Sequence, residues 1–206
     1  MVGYMILGMT YAFAAAVQPG PLQTYLISQT LSNGWRRTVP AAFAPLISDG
    51  PIIALVLLAL SHMPALLVQA LQIAGGLFLL YLAIGAFKSW QNFDIKKDIQ
   101  VQSNRQTVFK AALVNLLNPA PYLGWSLVMG PLLIKGWRES PVNGIALLGG
   151  FYTILILVTL GIMLLFAGAR NLGPRISRTL IGVSAIALVL FGLYELWLGT
   201  GATFWK

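Results

Sequence analysis

The chain has 206 residues, 58% of them hydrophobic and 9% charged, whereas a soluble domain carries about 25% charged residues; the composition excludes a water-soluble fold and points to a polytopic membrane protein of one domain. A net charge of +8 would suggest nucleic acid to a soluble protein, but in a membrane chain basic residues are read loop by loop, and no nucleic-acid partner is expected. The absence of cysteine and the single histidine, His62, exclude disulfides, thiolate metal sites and histidine-rich ones.

Six apolar segments are expected to cross the membrane: 3–31, 40–60, 67–87, 110–134, 143–168 and 179–200. Most match the ~20 residues that span ~30 Å of hydrocarbon, and the longer first and fourth suit helices broken or tilted partway across. In the first, Ala14-Ala15-Ala16 looks like a cleavage site, but no Lys or Arg precedes it. The basic start of a signal peptide is therefore missing, and the segment is read as a retained helix. It is interrupted at Gln18-Pro19-Gly20-Pro21. A proline lacks the N–H for the i−4 bond and its ring collides with that carbonyl. In lipid the freed groups are tolerated only against protein or a wet cavity. Next come the basic turn at Arg36 and Arg37, the second segment with Asp49, and His62 in the short turn Ser61-His62-Met63-Pro64.

Residues 88–109 form a long polar stretch and are expected to link two three-helix halves, 1–87 and 110–206. The fourth segment then repeats the first interruption as Asn118-Pro119-Ala120-Pro121, 100 positions on. Gly34-Trp35-Arg36-Arg37 is echoed by Gly136-Trp137-Arg138-Glu139 at an offset of 102, and Ile73 to Gly76 can be set beside Ile181 to Ser184. Three helices per half make the halves enter from opposite sides, so an inverted repeat is expected. Loops 32–39, 88–109 and 169–178, with Lys110 at the edge, hold ten basic residues, against three (Lys135, Arg138 and Lys206) on the other side. Basic loops stay in the cytoplasm, so both termini are expected outside. The expected fold is thus all-α: six transmembrane helices in two inverted three-helix repeats, the first and fourth broken at proline motifs.

Paired helix breaks in matching positions of two halves point to a transporter's substrate site. Asp49 lies 12 residues after Arg37, which a helix converts to about 18 Å, near mid-bilayer. An acid there should face a cavity and have a partner. Burial favours the uncharged carboxyl, so Asp49 is a candidate for proton coupling; holding a substrate ammonium and a purely structural bond to a neighbouring helix are the other readings. Pro45, Ser48, Gly50 and Pro51 around it loosen the helix. The second half has no acid at the matching place, which reads Gly149-Gly150-Phe151. Gln18 and Asn118 offer amides beside carbonyls without donors, and the helices restarting after each break offer N–H groups suited to a carboxylate. Together these suit a zwitterion, with Gln18, Pro19, Gly20, Pro21, Asp49, Asn118, Pro119, Pro121 and Tyr122 as candidate binding residues; proline kinks serving packing alone are the alternative. Tyr122 and Trp125 either line the cavity or pack in the core. Glu195, between Tyr194 and Trp197, is expected at the membrane interface. With one histidine, no cysteine and few acids there is no triad or carboxylate dyad, so the chain is not expected to be an enzyme or to hold a cofactor. No glycine-rich loop with lysine marks nucleotide-driven pumping.

These residues resemble the LysE/RhtB family of amino-acid exporters. The likeness covers nearly the whole chain: Gly20-Pro21 in the first helix, the basic turn Arg36-Arg37, Asp49 in the second helix, the run Gly76 to Leu82, and Asn118-Pro119 in the fourth. The resemblance implies six helices, a bacterial inner membrane, and proton-driven expulsion of amino acids or related small solutes. It also implies that Pro19, Gly20, Pro21, Asp49, Asn118 and Pro119 form the translocation site. Two departures stand out. Leu22-Gln23 occupy the place of an Asn after the first break, and Ala120 stands where the family usually has Lys, which removes a fixed cation. The expected partners are a small solute, protons and lipid, with homo-oligomerisation left open. The rivals are a channel of the same architecture and a non-transporting membrane scaffold.

Overall fold

The computed structural model describes residues 1–18, 20–59, 65–91, 103–170 and 173–204; Pro19, His62 and residues 92–102 of the 88–109 linker lie outside them. Among the described residues ten α-helices follow in order: α1 (Val2–Val17), α2 (Pro21–Asn33), α3 (Trp35–Thr38), α4 (Ala44–Ala59), α5 (Ala65–Gln91), α6 (Asn104–Leu117), α7 (Pro119–Gly124), α8 (Gly130–Glu139), α9 (Pro141–Arg170) and α10 (Pro174–Phe204). A 3₁₀ stretch, Val39–Phe43, leads from α3 into α4, and a π-helical turn, Trp125–Met129, joins α7 to α8. Among the described residues, four stretches are long and apolar enough to cross a membrane: Trp35–Leu58, Gln69–Gln91, Pro141–Ala169 and Arg175–Thr200. The expected first and fourth segments fall short as single helices because each is cut: the first into 16 and 13 residues, the fourth into α6, α7 and α8.

Local chemistry explains the punctuation. Gly34 joins α2 to α3 at φ 86°, a left-handed setting that costs glycine little. Ser103 caps α6 by accepting a hydrogen bond from the Gln106 N–H at 3.3 Å, one of the orphan donors of a helix start. Pro45 sits in the first turn of α4, where its missing donor is not needed. Pro51 sits inside α4 and leaves the Ile47 carbonyl without its helical donor, yet the helix continues. The π turn ends against Pro131, which has no N–H to close an α turn on Leu127, and Gly130 instead donates to the Trp125 carbonyl five residues back. The linker is shorter than hydropathy suggests: residues 88–91 belong to α5 and 104–109 to α6. Polarity marks where a helix leaves lipid, and its backbone bonds carry on into water. The Gly-Trp-Arg echo also differs in backbone, since Gly34 breaks a helix whereas Gly136 lies inside α8.

α1 packs along α9, α5 along α10, and α4 against α6, while α2 is enclosed by α5, α6, α9 and α10. α1 and α9 touch backbone to backbone: a Cβ on Gly8 would meet the Leu147 carbonyl and one on Gly150 the Met5 carbonyl. Small residues permit this approach where van der Waals contact, rather than water exclusion, holds helices together in lipid. Two core clusters result. One gathers Ala12, Ile52, Tyr122, Trp125, Met129, Leu147 and Phe151; the other gathers Leu22, Tyr25, Leu26, Leu79, Val114 and Leu188. Outward faces are apolar, with Leu58 85%, Leu165 75% and Leu127 74% exposed. So much exposed hydrocarbon fits lipid as the surrounding solvent.

Candidate functional site

The first interruption is a true gap between helices. Gln18 (φ −66°, ψ 122°) and Gly20 (φ −153°, ψ 177°) are extended, and α2 restarts with Pro21 at its first position. Its first helical bond runs from the Thr24 N–H to the Gly20 carbonyl at 2.9 Å. The N–H groups of Leu22 and Gln23 therefore precede any intrahelical acceptor. The Gln23 side chain reaches back and donates to the Ala16 carbonyl at 3.1 Å, tying α2 to the end of α1.

The second interruption is built differently. Asn118 is extended (φ −82°, ψ 126°), and its Oδ1 accepts from the Ala120 N–H at 3.0 Å. Pro119 and Pro121 have no N–H. The start of α7 thus has no donor to spare in its first three positions, which corrects the expectation of anion-binding ends at both breaks: the first break alone offers N–H groups. The carbonyls freed at the break are partly served. Asn115, stranded by Pro119, accepts from the Asn118 N–H at 3.3 Å, and Leu116, whose donor Ala120 is turned to the Asn118 side chain, accepts from the Tyr122 hydroxyl at 2.9 Å.

Asp49 occupies the middle of a buried network. It is 3% exposed. Asn115 Nδ2 donates to Asp49 Oδ1 at 2.7 Å and to Ser48 Oγ at 2.8 Å. The Ser48 hydroxyl in turn donates to the Ala44 carbonyl at 3.1 Å, and the Tyr152 hydroxyl donates to Asp49 Oδ2 at 3.1 Å. Trp125 adds a third polar neighbour. Helices α4, α6 and α9 are thereby joined at one carboxyl group.

Between the breaks and this network lies a cavity of about 320 Å³, at the small end of the range for solute pockets. Gln18, Gly20, Pro21, Asp49, Asn115, Asn118, Pro121, Trp125 and Glu195 are among the residues that line it, and Tyr11, Phe151 and Phe191 give it aromatic walls.

The LysE type translocator family matches residues 13–198, nearly the whole chain. The chain belongs to the LysE type translocator family. It is a membrane transport protein, as the sequence resemblance implied. Comparison with curated proteins and with solved structures finds no match.

Of the residues expected at the site, the translocator brings Gln18, Gly20, Pro21, Asp49, Asn118 and Pro121 to one cavity. Pro119 and Tyr122 are buried and are not among its lining residues; Tyr122 spends its hydroxyl on the broken backbone. Pro19 lies outside the described residues. Sequence reasoning missed Asn115 and Tyr152 as partners of Asp49. Asn115 stands one turn before Asn118, a second amide in an apolar run, but its partner is 66 residues away in the chain. Glu195, expected at the membrane interface, is 9% exposed and lines the cavity. Also missed were Tyr25, Ser28, Thr30 and Ser32 on α2, whose hydroxyls are buried without hydrogen-bond partners.

Proposed function

We propose that this translocator is a secondary exporter of amino acids or related small solutes, coupled to protons and working by alternating access around the cavity between the two breaks. The observation that carries the reading is the convergence of both interruptions and Asp49 on that one cavity. The Leu22 and Gln23 N–H groups at the start of α2 have no intrahelical acceptor and are open to an oxygen of the solute or of water. Asp49 binds a proton and the solute's ammonium in turn, which couples the two movements. The hydroxyls of Tyr25, Ser28, Thr30 and Ser32, buried and unpaired on α2, lead from the cavity toward Arg36 and Arg37; buried polar groups without partners are costly, and water or solute satisfies them when that side opens.

We further propose six membrane passes as two inverted halves, residues 1–87 and 110–206, in one transmembrane domain, with 88–109 cytoplasmic, both termini outside, and the bacterial inner membrane as the location. Helix pairing supports this reading. Exchanging the halves turns the α1–α9 contact into the α6–α4 contact and returns α5–α10 to itself. The test is uptake into proteoliposomes under an imposed pH gradient. Gradient-driven flux in the wild type, abolished in Asp49→Asn that still folds in the membrane, is the expected result. Flux indifferent to the gradient, or unchanged by the substitution, overturns the coupling.

A further inference from the structure

Glu195 has no role in the mechanism just described, yet it is the second acid on the cavity wall. Its side chain is nine-tenths buried, and its Oε2 is shut off from solvent with no hydrogen-bond partner. Asp49, in contrast, has both oxygens bonded. Glu195 also borders a void of about 10 Å³ beside Pro21, Gly75, Leu117 and Asn118, room for about one water molecule. Buried carboxyls are ordinarily paired. Among the described residues that line the cavity none is Lys, Arg or His, so no side chain there offsets the charge of either acid. What is missing from the site is positive charge, and the faces of Tyr11, Trp125, Phe151 and Phe191 suit a cation as well.

We propose that Glu195 holds a second ammonium group, so that the cavity selects solutes with two cationic ends and no carboxylate, the alkyl diamines. The inference rests on the cavity being the transport site and narrows its substrate class. A diamine neutralises both acids. A monoamine leaves one unpaired, and an amino acid adds a negative group to a site that already holds two.

Binding to the purified protein in detergent, measured by calorimetry with 1,5-diaminopentane, 1-aminopentane, lysine and leucine, tests it. The wild type is expected to bind the diamine at least tenfold more tightly than the monoamine or lysine. Glu195→Gln is expected to erase the preference of diamine over monoamine while keeping the monoamine's affinity, and Asp49→Asn to weaken both amines. A wild type that binds the two amines equally, or prefers lysine, overturns the proposal without any variant having to fold. Retention of the preference in Glu195→Gln overturns it too, and shows that the carboxyl serves structure alone. If none of the four compounds binds the wild type, the reading of the cavity as an amino-compound site falls with it. Leucine binding that Asp49→Asn removes, with no diamine preference, sinks this inference and leaves the reading of the site standing.

Discussion

At the residue scale, the proposed function hangs on how one carboxyl is held. Asn115 gives one hydrogen of its amide to Asp49 and the other to Ser48, and Tyr152 serves the second oxygen. Hydrogen bonds between membrane helices average about 0.6 kcal/mol and reach about 1.7 kcal/mol, because the unfolded chain in lipid finds partners too. Asn115→Leu forfeits two of them and leaves Ser48 and Asp49 short of a donor. A loss of about 1–3 kcal/mol is expected, read from unfolding of the purified protein in detergent. An unchanged unfolding midpoint would mean that the network does not support the fold. Asp49 itself was legible, since an acid amid apolar residues is conspicuous. Its partners were not, because Asn115 and Tyr152 are 66 and 103 residues away, and no local pattern joins them.

At the scale of the element, α7 owes its start to three residues acting together. Pro119 and Pro121 withhold N–H groups from the Asn115 and Leu117 carbonyls, while Asn118 caps the new helix. Pro119→Ala by itself returns one donor and leaves the cap and the second proline in place, so it is expected to keep the break. Pro119→Ala with Pro121→Ala returns both donors and is expected to fuse α6 to α7. Spin labels at Arg105 and Lys135, one on each side of the break, would register the fusion as a changed distance, and solute binding would fall. A distance distribution identical to the wild type would mean that packing, not proline, imposes the gap. Proline made both breaks readable from the chain. It did not reveal their asymmetry, which depends on Asn118 folding back on Ala120 while Gln18, its counterpart, makes no such cap.

For the whole molecule, the bias of basic loops predicts a definite orientation. The chain has no cysteine, so single cysteines report it cleanly. Arg105→Cys is expected to be protected from an impermeant thiol reagent added to intact cells, and Arg138→Cys to react. Both positions are exposed in the fold, and the reverse pattern would invert the assignment and with it the side to which α2 leads. The same scale decides the cavity. Its walls come from α1, α2, α4, α6, α7, α9 and α10, elements that touch only after the bundle has assembled.

The sequence by itself determined that the chain lives in lipid, which family it resembles, where two helices must break and which acid is buried between the termini of the bundle. These are local matters: hydrocarbon content, a missing N–H, a lone charge each act within a few residues of chain. The tertiary structure alone decided which side chains satisfy Asp49, that Tyr122 turns to the backbone rather than the cavity, and that Glu195 faces inward with an oxygen unpaired. A helix presents every side of itself to its own sequence, and only the neighbours packed against it settle which side meets lipid and which meets the solute.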